Sequence, residues 1–127
     1  MPLLKRRARR VLVLGLDCAS PDLIFNQFRS DLPTFTQLAA QGTWGRLESS
    51  LPCITVPAWT SMLSSHDPGV LGIYGFRNRA DHTYNAMTTA NNTAVKVNRV
   101  WDYLGEAGKR SIVVGVPQTF PPRALNG

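Results

Sequence analysis

The sequence predicts an α/β layered domain. Two short apolar runs, residues 11–16 and 112–116, have the composition of strands buried in a parallel sheet. Segments with helical spacing lie between them, and this order is typical of helices packed on a sheet. Hydrophobic residues make up 43% of the 127-residue chain, which is enough for a core and excludes wholesale disorder.

The first predicted strand, residues 11–16, leads into a helix. The strand ends at Asp17, and Ser20-Pro21-Asp22 follows. Ser20 is a suitable N-cap and Pro21 suits the first turn, so we expect a helix to begin here.

A second helix is predicted from Pro33 to Gln41. Its apolar residues recur at helical spacing, and Gly42 follows as a stop signal. Residues 44–49 are predicted to form a short strand.

A third helix is predicted to open at Thr55, with Pro57 in its first turn, and to end before Pro68. The following stretch, residues 70–94, is rich in Gly, Asn, Thr, Arg and aromatic residues without a clear period. We expect it to be a long ordered loop, and loops of that length are usually functional.

The last two predicted elements are a helix over residues 97–107, closed by Gly108, and a buried strand over 111–116. The chain ends soon after this strand. A sheet that ended there would have few strands and an exposed edge. We therefore expect the chain to be the beginning of a longer protein.

The net charge of +6 comes mainly from one end of the chain. Five of the 14 Lys and Arg residues lie within six positions, and without them nine cations face eight acidic residues. We expect residues 1–10 to be a flexible basic tail and residues 11–127 to be the domain. A body near +1 argues against a specific nucleic-acid partner, although a tail can attract phosphate or anionic membranes. The five tail cations are Lys5, Arg6, Arg7, Arg9 and Arg10.

No apolar stretch approaches the roughly 18–20 residues that a membrane span requires. The run at 11–16 is short and ends at Asp17, which argues against a signal peptide. Two cysteines, Cys18 and Cys53, do not make a disulfide framework, so we expect small buried thiols in a reducing, cytoplasmic setting.

Asp17 is the first candidate site residue. It follows a predicted strand, and ligands bind at the carboxyl ends of strands in open α/β sheets. A carboxylate there suits a divalent cation. The alternative is an Asp that caps the next helix.

Thr55 is the second candidate. A hydroxyl at a helix start lies near the positive end of the helix dipole, which stabilises a bound phosphate or a developing alkoxide. The alternative is an ordinary Thr N-cap.

Three segments together resemble a known family. Residues 11–17 read Val-Leu-Val-Leu-Gly-Leu-Asp, residues 51–63 read Leu-Pro-Cys-Ile-Thr-Val-Pro-Ala-Trp-Thr-Ser-Met-Leu, and residues 67–76 read Asp-Pro-Gly-Val-Leu-Gly-Ile-Tyr-Gly-Phe. They resemble the alkaline phosphatase superfamily, most closely its type I phosphodiesterases and nucleotide pyrophosphatases. The resemblance implies a three-layer α/β/α domain with a mostly parallel sheet, of which residues 11–127 would be the N-terminal part.

The resemblance also implies a chemistry. Asp17 would bind one of two divalent metal ions, zinc in most relatives and manganese as a second option. Thr55 would be a ligand of the same ion and the nucleophile, forming a phosphothreonine that water then hydrolyses. The substrate would be a small-molecule phosphate ester or a nucleotide.

The chain departs from the family pattern at two places. Leu71 stands where many relatives have a His that is not a metal ligand. Nucleotide-cleaving relatives hold a phosphate oxygen with an Asn, and an ungapped count puts Phe76 there. We expect Asn78, Arg77 or Arg79 to bind the phosphate instead.

Two other functions stay open. Neither His66 nor His82 lies in a family ligand motif, so the chain holds half of one metal site. A non-catalytic nucleotide- or phosphate-binding α/β module is one alternative, although the turn after the first strand lacks the Gly-x-Gly-x-x-Gly pattern. A phosphomutase of the same superfamily is the other.

Overall fold

The computed structural model describes residues 10–127, in which short helices and a two-stranded antiparallel sheet are the regular elements. Residues 1–9, which hold most of the predicted basic tail, lie outside the described residues. The chain divides into two units, Met1–Trp44 and Gly45–Gly127. Among the described residues, no helix is long and apolar enough to cross a bilayer.

The first unit contains a π-helical turn, Leu23–Gln27, and one α-helix, α1 (Pro33–Gln41). The hydroxyl of Ser20 accepts a hydrogen bond from the Leu23 N–H at 3.4 Å, but the residue that caps the π-helical turn is Asp22, whose side chain makes no cap hydrogen bond. The bounds of α1 agree with the prediction. Gly42 follows it in an extended conformation, with φ −128° and ψ −165°, so the helix ends without the left-handed turn that a glycine permits.

The strands predicted at 11–16, 44–49 and 111–116 are absent from the described part of the chain. The side chain of Leu12 is 88% exposed and that of Ile112 is 89% exposed. A parallel strand needs hydrogen-bonded neighbours and covering helices on both faces. The described residues provide no such ladder, and the apolar composition of these segments therefore does not produce a sheet. The architecture is α/β only in the coarse sense of mixed helices and strands.

The second unit begins with two helices. The predicted third helix is confirmed as α2 (Thr55–Ser64), and α3 (Pro68–Leu71) follows. The carboxylate of Asp67 accepts a hydrogen bond from the Val70 N–H at 3.0 Å and caps α3. Gly72 ends α3 with φ 65°, the left-handed conformation that favours glycine.

Residues 70–94, predicted to be a long ordered loop, contain a β-hairpin. Strand β1 (Arg77–Arg79) pairs antiparallel with β2 (Met87–Thr89), with Asn78 opposite Thr88. Polar and charged residues fill β1, so the alternation of apolar and polar residues that predicts a strand is absent. The sequence pattern therefore does not predict this hairpin.

A 3₁₀ turn, Asn92–Ala94, precedes the last helix, α4 (Val100–Glu106). This helix begins three residues after the predicted position. The carboxylate of Asp102 accepts a hydrogen bond from the Arg99 N–H at 2.8 Å and fixes the start of the helix at Val100. Gly108, with φ 67°, follows its end as predicted.

A small apolar core lies in the second unit and joins α2 to the segments around the hairpin. Leu71, Ala94 and Val97 pack against its edge. The core therefore fixes the start of α2 relative to α3 and the hairpin ends. Its buried members are Val56, Ile73, Ala90 and Val95.

Candidate functional site

Asp17 lies in the first unit, in a turn directly after residues 11–16. Its side chain is exposed, and the Cys18 thiol donates a hydrogen bond to its Oδ2 at 3.7 Å. Cys18 has φ 59°, so the backbone turns sharply beyond the carboxylate. Cys18 and Cys53 are both free and exposed, which corrects the expectation that they are buried thiols.

Thr55 is the first residue of α2 and is half-buried. The N-cap is the preceding residue, Ile54, which is extended and provides no side-chain cap. The structure therefore does not assign Thr55 the ordinary N-cap role. Val56 and Pro57, the next two residues, are buried, so the start of the helix is held against the core.

Two other hydroxyl groups on α2, those of Thr60 and Ser64, bond back to the helix backbone. Thr60 donates to the carbonyl oxygen of Val56 at 2.7 Å, and Ser64 donates to that of Thr60 at 2.7 Å. Both are buried. Such bonds return the hydroxyl to the helix backbone and leave it poorly placed to act on a ligand.

The side chain of Asn78 stabilises the turn that leads into β1 through two hydrogen bonds. Its Oδ1 accepts from the Tyr74 N–H at 2.8 Å, and its Nδ2 donates to the Gly75 carbonyl oxygen at 3.0 Å. The oxygen and the nitrogen of the Asn78 side-chain amide thus both bind backbone groups. Asn78 therefore has a structural role that the sequence does not predict.

Arg77 and Arg79 flank Asn78 on β1 and are exposed. Because side chains alternate along a strand, these two arginines lie on one face and Asn78 on the other. The Arg79 guanidinium lies 4.7 Å from the centre of the Tyr84 ring and donates to the His82 carbonyl oxygen at 3.5 Å. Arg79 therefore has an aromatic neighbour at the hairpin tip.

The predicted site residues lie in different parts of the chain. The arginines and Asn78 share one strand, and Thr55 lies on α2 of the same unit, whereas Asp17 belongs to the first unit. Within residues 10–127, no three His, Cys, Asp or Glu side chains form a group that could hold a metal ion. Asp17 and Thr55 are oxygen donors suited to a divalent cation, but they are only two ligands.

A polar cluster that the sequence does not predict is centred on Asn92. Asn92 is 2% exposed and Arg99 is 5% exposed, and a third member, Arg123, comes from the C-terminal segment. Neither an isolated Asn nor a scattered Arg carries a sequence signal for burial, because such residues are mostly exposed. The structure also places the Arg99 guanidinium 5.4 Å from the centre of the Trp101 ring.

The family model described as type I phosphodiesterase / nucleotide pyrophosphatase matches residues 11–125. The match begins at the segment that ends in Asp17 and includes Thr55, the hairpin and α4. No curated protein and no solved structure matches the chain.

Proposed function

The chain belongs to the type I phosphodiesterase / nucleotide pyrophosphatase family, and from this premise we propose that it hydrolyses phosphate esters with Thr55 as the nucleophile. The family is hydrolytic, and a small-molecule phosphate ester is its natural class of substrate. In this proposal, residues 11–127 are the N-terminal part of an alkaline-phosphatase-like catalytic domain with a three-layer α/β/α architecture.

The observation that carries the proposal is the position of Thr55 at the first residue of α2. Ile54 enters the helix extended and the buried Val56 anchors the first turn, so the Thr55 hydroxyl belongs to a fixed helix start. The positive end of the helix dipole favours negative charge at that place, both on a bound phosphate and on an attacking oxygen.

The reaction has two displacements at phosphorus. In the first, Thr55 Oγ forms a bond to phosphorus, the bond from phosphorus to the leaving alcohol breaks, and the hydroxyl proton passes to solvent. The leaving oxygen takes a proton from water. In the second, a water oxygen attacks the phosphothreonine, the bond to Oγ breaks and Thr55 regains its proton. The sum is one ester and one water converted to an alcohol and a phosphate product.

Two divalent metal ions, zinc or manganese, belong to the proposal. When bound, they would lower the pKa of the attacking hydroxyl and neutralise charge on the phosphoryl oxygens. Asp17 and Thr55 would each provide one oxygen ligand. Since these two residues form only part of a ligand set, the role of Thr55 rests on the position of its hydroxyl at the helix start and not on a metal geometry.

Arg77 and Arg79 are proposed to bind the substrate phosphate, with Asn78 between them. The two guanidinium groups lie on one face of β1 and are exposed, so they can pair with phosphate oxygens. The Asn78 amide is held by the backbone of Tyr74 and Gly75, and it would contribute mainly by setting the turn.

The test is the hydrolysis of a chromogenic phosphodiester by the full-length protein with zinc or manganese. Thr55→Ala should lower kcat by at least about a thousandfold, because the attacking oxygen is removed. Thr34→Ala is the matched control, since Thr34 is an exposed threonine in the first turn of α1. Trapping of labelled phosphate on the wild-type protein but not on Thr55→Ala would support the covalent step, whereas unchanged turnover in Thr55→Ala would exclude Thr55 as the nucleophile.

A further inference from the structure

Two arginines from distant parts of the sequence line one cavity in the second unit. Arg99 precedes α4 and Arg123 comes from the C-terminal segment, and the cavity between them has a volume of about 120 Å³. Trp101 and Thr119 also line it, and so does Asp102, whose carboxylate accepts a hydrogen bond from the Arg99 N–H; Thr55 does not. The cavity is therefore separate from the proposed nucleophile.

Asn92 fixes both guanidinium groups. Its side-chain Oδ1 accepts from Arg99 Nη2 at 2.6 Å, and its backbone oxygen accepts from Arg123 Nη2 at 3.0 Å. Arg123 Nη2 also donates to the Val95 carbonyl oxygen at 3.2 Å. The two positive groups are thus held by neutral acceptors, and side-chain entropy is already lost before any ligand arrives.

Asn92 is itself held in place by the C-terminal segment. Its N–H donates to the Phe120 carbonyl oxygen at 2.8 Å, and its Nδ2 donates to the carbonyl oxygens of Thr119 and Pro121. All of these atoms lie in the second unit. The arginine pair is therefore part of an ordered polar network.

The charge of the pair is not neutralised by this network. In the part of the chain that the structure describes, neither guanidinium forms an ion pair with a carboxylate. Burial lowers the pKa of Arg99, the positive charge of Arg123 lowers it further, and the charge of Asp102 opposes both effects. An anion between the two arginines would relieve both the desolvation and the repulsion.

We propose that this cavity, lined by Arg99, Arg123, Trp101 and Thr119, binds a tetrahedral oxyanion of phosphate size. Each guanidinium has five N–H donors in a planar fork, and only one nitrogen of each is used in the bonds to Asn92 and Val95. Two forks offer more donors than the two oxygens of a carboxylate can accept, whereas a phosphate has four oxygens. The indole of Trp101, whose ring centre lies 5.4 Å from the Arg99 guanidinium, provides an apolar wall.

The anion comes either from inorganic phosphate or from the phosphate group of a nucleotide monoester. Calorimetric titration of the full chain in EDTA, at constant ionic strength, with phosphate, AMP, adenosine and acetate distinguishes these sources. Binding of phosphate and AMP with equal affinity assigns the site to the free ion, and tighter binding of AMP assigns it to the ester. Adenosine and acetate should not bind. Absence of binding by both phosphate and AMP would overturn the proposal.

Variants test whether the arginines carry the binding. Arg123→Gln should weaken phosphate binding by about tenfold to a hundredfold, because a charge-assisted contact is lost. Arg123→Lys keeps the charge without the planar fork and should weaken it by about threefold to tenfold. Arg110→Ala, an exposed cation that does not line the cavity, should bind phosphate as the wild type does. Wild-type affinity in Arg123→Lys would overturn the proposal even if Arg123→Gln failed to fold.

Nuclear magnetic resonance of the tryptophan indole N–H groups shows where in the protein the phosphate binds. Addition of phosphate in EDTA should shift the indole N–H signal of Trp101 and leave those of Trp44 and Trp59 unchanged. Trp59 lies on α2, one helical turn after Thr55, so it reports on the proposed nucleophile. A shift of Trp59 without a shift of Trp101 would place the phosphate outside this cavity and contradict the proposal.

Discussion

Arg99 donates a 2.6 Å hydrogen bond to Oδ1 of Asn92, and both side chains are buried. A buried guanidinium loses its hydration. Each hydrogen bond from it to a protein acceptor therefore contributes more to the stability of the folded state than a surface hydrogen bond would. The same Asn92 also binds the C-terminal segment through three carbonyl groups. Asn92 is therefore the residue on which the polar part of the second unit depends.

Replacement of Asn92 by Ala should lower the free energy of unfolding by about 3 kcal/mol, because it leaves buried groups without partners. The lost contacts are the acceptor of Arg99 and the donor to Thr119 and Pro121. Urea unfolding followed by tryptophan fluorescence measures the change. Asn98→Ala is the matched control, since Asn98 is exposed and bonds only the exposed Glu106, and it should change stability by less than about 0.5 kcal/mol. Equal effects of the two substitutions would contradict the role of Asn92.

Asn78→Ala should loosen the turn before β1. The substitution removes the acceptor of the Tyr74 N–H and the donor to the Gly75 carbonyl, at a cost of about 1 kcal/mol. Hydrogen exchange at the Tyr74 amide should become faster, whereas Arg77→Ala should leave that exchange unchanged. Slow exchange retained in Asn78→Ala would show that other contacts hold the turn.

Some elements of this fold can be predicted from the sequence and others cannot. The helices α1 and α2 are predictable because their apolar spacing is a local pattern and because Pro33 and Pro57 mark their first turns; neither helix has a side-chain N-cap. The predicted parallel sheet is not formed by the described residues, because the burial of a strand depends on neighbours, which a run of apolar residues at 11–16 or 111–116 does not specify. The hairpin escapes prediction for the opposite reason, since β1 has strand geometry without a strand pattern.

The candidate functional residues also differ in whether the sequence predicts their positions. The position of Thr55 at the start of its helix is predictable from sequence, because a helix start is a local feature. The network of Asn92, Arg99 and Arg123 joins positions up to 31 residues apart, and no local pattern encodes it. The two hydrogen bonds that occupy the Asn78 amide also depend on the turn conformation and are not visible from the residue type.

Ile73→Ala tests the small core. Ile73 is 2% exposed and packs with Val56 and Val95, so the truncation leaves a cavity that should lower the free energy of unfolding by about 3 kcal/mol. Val70→Ala is the control, because Val70 is 64% exposed and should change stability by less than about 0.5 kcal/mol. Both values come from urea unfolding. A small effect of Ile73→Ala would show that this cluster does not stabilise the second unit.

The hairpin tip contains an acid whose ionisation reports on its local structure. The hydroxyl of Thr83 donates to Asp81 Oδ1 at 2.7 Å and the Thr83 N–H donates to the same oxygen at 2.8 Å. The side-chain bond is the larger cause and the backbone bond the smaller, and together they lower the pKa of Asp81 below 3.8. Because the folded pKa is depressed, the stabilising effect of the charged form is present above the unfolded pKa and is lost as pH falls through the folded pKa.

Thr83→Val should raise the pKa of Asp81 toward 3.8, since it removes the hydroxyl donor but keeps the backbone N–H. The carboxyl carbon signal of Asp81, followed by nuclear magnetic resonance from about pH 2 to about pH 6, gives the titration directly. Thr89→Val, at an exposed position on β2, should leave the Asp81 titration unchanged. If Thr83→Val left the pKa of Asp81 at its wild-type value, the hydroxyl bond would not be the main cause of the lowered pKa.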